Sequence, residues 1–281
     1  MLSPLQKTII LLAPAGLILA LMFVAPIALT LPISFREYEP GVGITDRWTL
    51  DYYIKIATDP YILEILGRTL LLGIFVTTAS LVLGYPVALY LAHTQSFARN
   101  IVIGLIIFPL LINVVVRSFG WVTLLSNRGV INNALRSLGI VDMPVQLLFN
   151  MIGLCISMTH IMLPFMVLLL LAAIQNIPDE VENAAAVLGA NWFTVLTKVT
   201  LPLSLPGIIA GSILVFVLTI SSLVTPRLVG GPTYKVMSTL IMDEYLRLLN
   251  WPFGSALATV MTLIVIVMIW LLMVSTRKVA P

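Results

Sequence analysis

Apolar positions in this chain run together over long stretches instead of alternating. Five stretches contain no Asp, Glu, Lys or Arg: residues 8–35, 69–98, 143–178, 199–226 and 248–276, of 28, 30, 36, 28 and 29 residues. A sixth, 100–116, has 17 residues and continues past a single Arg117 to Asn127. A helix needs ~20 apolar residues to cross a bilayer core, and lipid offers no partner to exposed backbone groups, so each stretch must bond internally. The pattern predicts an all-α integral membrane protein of about six transmembrane helices, at 8–34, 66–92, 100–125, 147–174, 201–225 and 253–275. These form one transmembrane domain over 1–281. A closed barrel is excluded, because its strands are about 10 residues long and alternate.

Prolines punctuate the spans: Pro14, Pro26 and Pro32 in the first, Pro86 in the second, Pro109 in the third and Pro164 in the fourth. Each releases a backbone carbonyl, and kinks that neighbouring helices can satisfy are the expectation. The first apolar stretch is about twice the 7–15 residues of a secretory signal core, so it reads as a retained anchor. Residues 143–150 exceed what the fourth span needs and read as a lead-in along the membrane surface. Trp48, Trp121, Trp251, Trp192 and Trp270 lie near span ends, as an interfacial aromatic belt does.

Composition sharpens this picture by its uneven distribution. The chain is 60% hydrophobic and 10% charged, against about 25% charged in a soluble domain. All 27 charges fall in 113 of the 281 residues, and those 113 are about as charged as a soluble protein. A lone Cys155 permits no internal disulfide and suggests no Cys metal site. No block of Lys and Arg suggests nucleic acid as a partner. Charge leaves the orientation open: Lys7, Arg99, Lys198, Arg277 and Lys278, 5 of the 15 Lys and Arg, fall on the side of the termini. Taken alone, that count would put the termini outside, but the opposite loops are longer and also carry most of the acids.

Between the fourth and fifth spans, residues 175–192 have the chemistry of a short helix. Asn176 can cap the first turn, Pro178 suits an early helical position, and Asp179 and Glu180 complement the positive end of the dipole. Residues 184–188 propagate the helix, and Gly189 can end it in a left-handed conformation. About 12 residues of helix are marginal alone in water, so this one must pack against the membrane surface or a partner. Its alanines allow close approach of another surface. The Pro-punctuated segment 201–207 then restricts the angle of entry into the fifth span.

These residues carry a resemblance. Asn183-Ala184-Ala185-x-x-Leu188-Gly189-Ala190, followed by Val199-Thr200-Leu201-Pro202-Leu203-x-x-Pro206-Gly207-Ile208, resembles the Glu-Ala-Ala loop of permease subunits in binding-protein-dependent ABC importers. The resemblance implies a type I ABC importer permease fold, in which the 175–200 loop holds a short cytoplasmic coupling helix seated in a cleft of an ATPase subunit. It assigns ATPase coupling to Glu182, Asn183, Ala184, Ala185, Gly189, Leu201 and Pro202. One departure stands out: the family's Glu falls on Asn183, with Glu182 one position earlier. Successive helical residues are rotated by about 100°, so Glu182 does not project where the family's Glu would.

Further stretches resemble the spermidine/putrescine branch of these permeases: Gly84-Tyr85-Pro86, Val116-Arg117-Ser118-Phe119-Gly120-Trp121, Thr225-Pro226-x-Leu228-x-Gly230-Gly231-Pro232 and Asn250-Trp251-Pro252-Phe253-Gly254-Ser255-Ala256. That branch implies transport of a small amine-bearing solute, polyamine or amino-acid-like. The resemblance further implies a multi-pass subunit of the inner membrane with both termini cytoplasmic. Its partners would be an ABC ATPase dimer carrying ATP-Mg, a second permease subunit and an extracytoplasmic substrate-binding protein.

Candidate pathway residues are Asn113, Arg117, Trp121, Asp243 and Glu244. Arg117 is the one clear charge interrupting an apolar run, and two readings stand open for it: a functional group facing the pathway, or a side chain snorkelling to the interface. Trp121, four residues on, shares its helix face and can stack on the guanidinium or on a substrate amine. Asp243 and Glu244 read as solvated charges of an outer loop, able to receive a cation. His160 reads as a hydrogen-bonded packing residue, and Asn113 and Asn150 as polar groups in need of partners. No Gly-x-x-x-x-Gly-Lys-[Ser/Thr] loop occurs, so no ATP site is expected in this chain. Neither a catalytic motif nor a metal-ligand motif is present. The rival from another class is an ion-coupled secondary transporter, which usually shows acids within its spans and inverted repeats; none of the 12 Asp and Glu falls inside a predicted span here. A non-transporting scaffold would make the alanine-rich loop an accident.

Overall fold

The computed structural model describes residues 4–277; residues 1–3 and 278–281, Lys278 among them, lie outside the described residues. The chain opens with α1 (Pro4–Leu19), a π-helical turn (Ala20–Val24) and α2 (Ala25–Ile33), followed by strands β1 (Arg36–Glu39) and β2 (Gly43–Trp48). Then come α3 (Asp51–Thr58), α4 (Pro60–His93), α5 (Phe97–Leu111), α6 (Val114–Leu125), α7 (Val130–Ser137) and α8 (Met151–Gln175). The short helices α9 (Asp179–Val187) and α10 (Trp192–Val195) lead through a π turn (Leu196–Thr200) into α11 (Leu201–Leu203) and α12 (Leu205–Ser221). A π turn (Pro226–Gly230), α13 (Met237–Leu246) and α14 (Trp251–Arg277) complete the described chain.

Among the described residues, four stretches are long and apolar enough to cross a membrane: Leu11–Ile33, Pro60–His93, Met151–Gln175 and Trp251–Leu271. Two more candidates are bent pairs, each at prolines that the sequence marks as kink points, Pro109 and the segment 201–207. The third span breaks by 101° between Phe97–Leu111 and Val114–Ser137. Pro109 cannot donate to the helix, Ile112 is extended (φ −86°, ψ 133°), and the Asn113 side chain accepts from the Val115 N–H at 2.8 Å to start α6 afresh. The fifth bends by 63° between Trp192–Leu203 and Leu205–Ser221. A helical lead-in, Trp192–Leu203, therefore precedes the body of the fifth span, with Pro202 and Pro206 flanking the bend at Ser204.

The described residues fall into two compact units, one formed by the chain up to Leu63 with Leu240–Ile264, the other by Glu64–Thr239 with the chain from Val265 on. In the first unit, the loop expected after the first span folds as an antiparallel hairpin pairing Arg36 with Trp48 and Tyr38 with Ile44. Gly41 and Gly43 supply the positive φ values of 88° and 101° that its turn requires. The Arg36 guanidinium lies 4.5 Å from the Trp48 ring centroid, and Phe35 stacks on Tyr53 at 4.9 Å. Tyr52 and Lys55 of α3 both approach the Phe253 ring, at 5.5 and 4.9 Å. Here too the structure overturns an expectation: Asp243 and Glu244 are not solvated loop charges but lie on α13, only 9% and 8% exposed. Asp243 faces Arg247 one helical turn on, at 3.6 Å, which lowers the cost of burying its charge.

The second unit is organised around α8. Leu154, Met158, Met166, Val167 and Leu170 of this helix are completely buried, as expected of a helix that is apolar on all sides. Glycines let its neighbours approach. A Cβ on Gly207 of α12 would stand 2.2 Å from the Ala173 Cβ, and one on Gly211, a turn later, 2.8 Å from Met166 Sδ. Small residues four apart set this close helix contact, where packing is the main driving force between helices in lipid. Residues 143–150 approach α8 as irregular chain, and Phe149, at φ +60°, donates its N–H to the Val229 carbonyl at 2.9 Å.

Candidate functional site

The segment between α8 and α12 is built from successive local stops and starts. α8 ends at Gln175, and Asn176 closes it, its N–H reaching the Ala173 and Ile174 carbonyls. Asn176 therefore caps the end of α8 instead of the start of α9, whose N-cap is Pro178 with extended backbone and no side-chain cap. α9 terminates in a Schellman arrangement: Gly189 N–H donates to Ala186 O at 2.9 Å, Ala190 N–H to Ala185 O at 3.1 Å, and Gly189 sits at φ +87°. Asn191 then caps α10 by accepting from the Thr194 N–H at 2.8 Å.

The two faces of α9 differ sharply. Outward, Asn183, Ala184 and Gly189 are exposed, beside Val187 and Leu188 (each 88% exposed), Trp192 (70%) and Phe193 (65%). This is a contiguous run of apolar and small side chains, of the kind that marks an interaction surface. Inward, Ala185 is partly buried, and Glu182 has turned into the body of the unit. One Glu182 carboxylate oxygen accepts from Thr200 Oγ1 at 2.7 Å, and the other lies 2.8 Å from His93 Nε2 at the end of α4. Leu201 and Pro202 form α11 immediately after Thr200, with Leu201 exposed and Pro202 partly buried. Ser204, at the bend, is held by Tyr85 of α4 at 3.0 Å. His93 and Thr200 were missed by sequence reasoning. His93 lies 89 positions from Glu182, and no periodicity links them.

The candidate pathway residues separate. Asn113 is exposed and its side-chain oxygen is committed to capping α6. Arg117 is partly buried, and its Nε and Nη1 are fully enclosed with no hydrogen-bond partner among the described residues. Trp121 does not stack on it: the indole N–H donates to His160 Nδ1 at 3.3 Å, with the rings edge to face at 5.3 Å. A ring nitrogen that accepts carries no proton, so His160 is the neutral Nε2–H tautomer, a packing role. Trp121 and His160 border an open apolar groove of about 900 Å³ that is also lined by Leu71, Phe75, Leu83 and Ile152. Asp243 and Glu244 belong to the other unit.

Six candidate spans, two of them bent, with a short exposed helix before the fifth, define an ABC importer permease of type I. A bacterial ABC transporter that imports the acidic polysaccharide alginate has a chain of the same fold, with TM-score 0.77 over 99% of this chain and 100% of that one, at 21% identity. A second structure of an alginate transporter, solved with a periplasmic protein bearing an alginate pentasaccharide, gives 0.73 over 98% and 96%, at 22% identity. Residues 80–281 match the binding-protein-dependent transport system inner membrane components, and the chain belongs to that family. The spermidine/putrescine transport system permease protein PotB of Escherichia coli (strain K12) is 31% identical over 246 residues, 88% of this chain and 89% of PotB.

Proposed function

We propose that this permease subunit forms one half of a translocation pathway for a small amine-bearing solute, and that residues 175–200 seat on an ATPase subunit. In this reading the segment and both termini face the cytoplasm, and a second permease subunit closes the pathway. A binding protein delivers the solute from the opposite side, as the periplasmic protein in the alginate complex suggests. ATP-Mg is held by the ATPase dimer. Nucleotide binds two conformations of the ATPase dimer with different affinity, and the difference shifts the spans between inward-open and outward-open states.

The observation that carries the proposal is the outward surface of α9 and α10, where Asn183 and Ala184 stand beside Val187, Leu188, Trp192 and Phe193, all exposed. Ala184→Arg tests it. Ala184 is exposed, so the added bulk meets a partner and not this chain, which could not be said of the partly buried Ala185. The variant is expected to remain in the membrane while the ATPase subunits no longer co-purify with it. Normal co-purification and normal ATP hydrolysis would count against docking at this surface.

Likeness to PotB favours a polyamine. A specific observation favours a second reading of the solute. The enclosed Nε and Nη1 of Arg117 have no partner among the described residues, and a buried guanidinium calls for an acceptor. In a conformation of the transport cycle that opens this enclosure, a carboxylate-bearing amine supplies one, whereas a bare polycation repels it.

A further inference from the structure

We infer that Glu182 is a positioning residue that pins the docking helix to α4, so that a displacement of α9 reaches the second span as well as the fourth and fifth. The inference rests on the docking role proposed for α9. The backbone joins α9 directly to α8 on one side and, through α10, to the fifth span on the other. It offers α4 no such route. Tyr85 of α4 holds Ser204 at the bend beyond α11, and the carboxylate of Glu182 supplies the direct link from α9, bridging Thr200 Oγ1 at 2.7 Å and His93 Nε2 at 2.8 Å.

Hydrogen-bond chemistry identifies the form of His93 that satisfies both of its partners. His93 Nδ1 lies 3.0 Å from the Leu89 carbonyl, which can only accept, so Nδ1 must carry a proton. Nε2 faces a carboxylate, which also accepts when ionised. Both nitrogens donate only in the imidazolium form, and with His93 in that form the contact is a charge-assisted pair, stronger than a neutral one. Among the three acids of α9, Asp179 and Glu180 are exposed, while the Glu182 side chain is only 18% exposed. A nine-residue helix with no side-chain N-cap needs such a tie to hold one position. The carboxylate one place before the family's position thus serves this chain internally and leaves Asn183 to face outward.

The test compares Glu182→Ala, Glu182→Gln and His93→Ala in the assembled importer in nanodiscs and proteoliposomes. Two readouts apply: amide exchange across 179–187, and uptake of putrescine and spermidine per ATP hydrolysed. Glu182→Ala should raise exchange at least about tenfold, as loss of hydrogen bonds to a charged group implies, and lower uptake per ATP with the ATPase still bound. His93→Ala should move both readouts in the same direction. Glu182→Gln should restore both in part, because its oxygen still accepts from Thr200 and its amide can donate to a neutral His93, in a contact weaker than the charge-assisted one. Exchange within twofold of wild type in Glu182→Ala overturns the inference, as does raised exchange with unaltered uptake per ATP. Loss of the bound ATPase in Glu182→Ala would make Glu182 a partner contact and would also overturn it. Exchange is read without any solute, and Ala184→Arg tests docking separately, so failure of the strut and failure of the docking surface are distinguishable.

Discussion

Gly207→Ala is the perturbation whose consequence follows most directly from geometry. The added Cβ would lie 2.2 Å from the Ala173 Cβ on α8 and 3.3 Å from the Leu169 carbonyl oxygen. Carbon atoms in contact sit about 3.5–4.0 Å apart, so the two helices must part by roughly 1.5 Å at this level. The neighbour is a methyl on a buried helix, not the end of a flexible side chain, so it cannot swing aside. Overpacking of this kind costs about 1–3 kcal/mol, a factor of roughly 5–150 in the folded-to-unfolded ratio. The assay is thermal unfolding of the purified chain in detergent, with Ala173→Gly as second-site partner. The double variant should recover most of the loss, less about 1 kcal/mol for a glycine within a helix. If the two substitutions simply add, the contact between α8 and α12 is not as close as described and the reasoning fails.

Two further outcomes follow. Gly189→Ala should cost about 1–2 kcal/mol, because φ +87° is unfavourable for an L side chain, and the loss should be confined to the end of α9. Amide exchange at 189 and 190 rising while α8 stays unchanged is the expected signature; unaltered exchange would mean the Schellman turn contributes nothing. For the solute, uptake competition by putrescine, spermidine and small zwitterions should rank the candidates. Arg117→Gln should weaken the zwitterions by about tenfold or more if the guanidinium receives a carboxylate. Unchanged competition would remove Arg117 from solute recognition, and failure of every competitor would exclude the amine class.

The six spans, the exposed short helix and its glycine stop were legible in the sequence because each depends on residues near one another in the chain. An uncharged run longer than a bilayer reads as a span whatever it packs against. A glycine after an alanine-rich helix signals a left-handed turn because the constraint is that of one backbone position. The third span escaped such reading only in its shape. Pro109 was visible, but its consequence depended on Ile112 turning extended and Asn113 recapping the chain, which a list of prolines does not convey. The same holds for the hairpin at 36–48, whose charged strands carry no apolar alternation to announce them.

Other outcomes were decided by tertiary structure alone. Asp243 and Glu244 looked like solvated loop acids because nothing local requires a charge to be buried; packing around α13 buries them. Trp121 had two possible partners on its own helix face and in solution, and found a third, His160, on α8. Glu182 is the clearest case. Its place in the sequence determined that it would not point where the family's Glu does, since one residue rotates a helix by about 100°. Where it points instead, toward Thr200 and a histidine 89 positions away, required the folded chain. Periodicity encodes the path of the backbone, whereas a hydrogen bond between distant side chains exists only once the helices that carry them have packed.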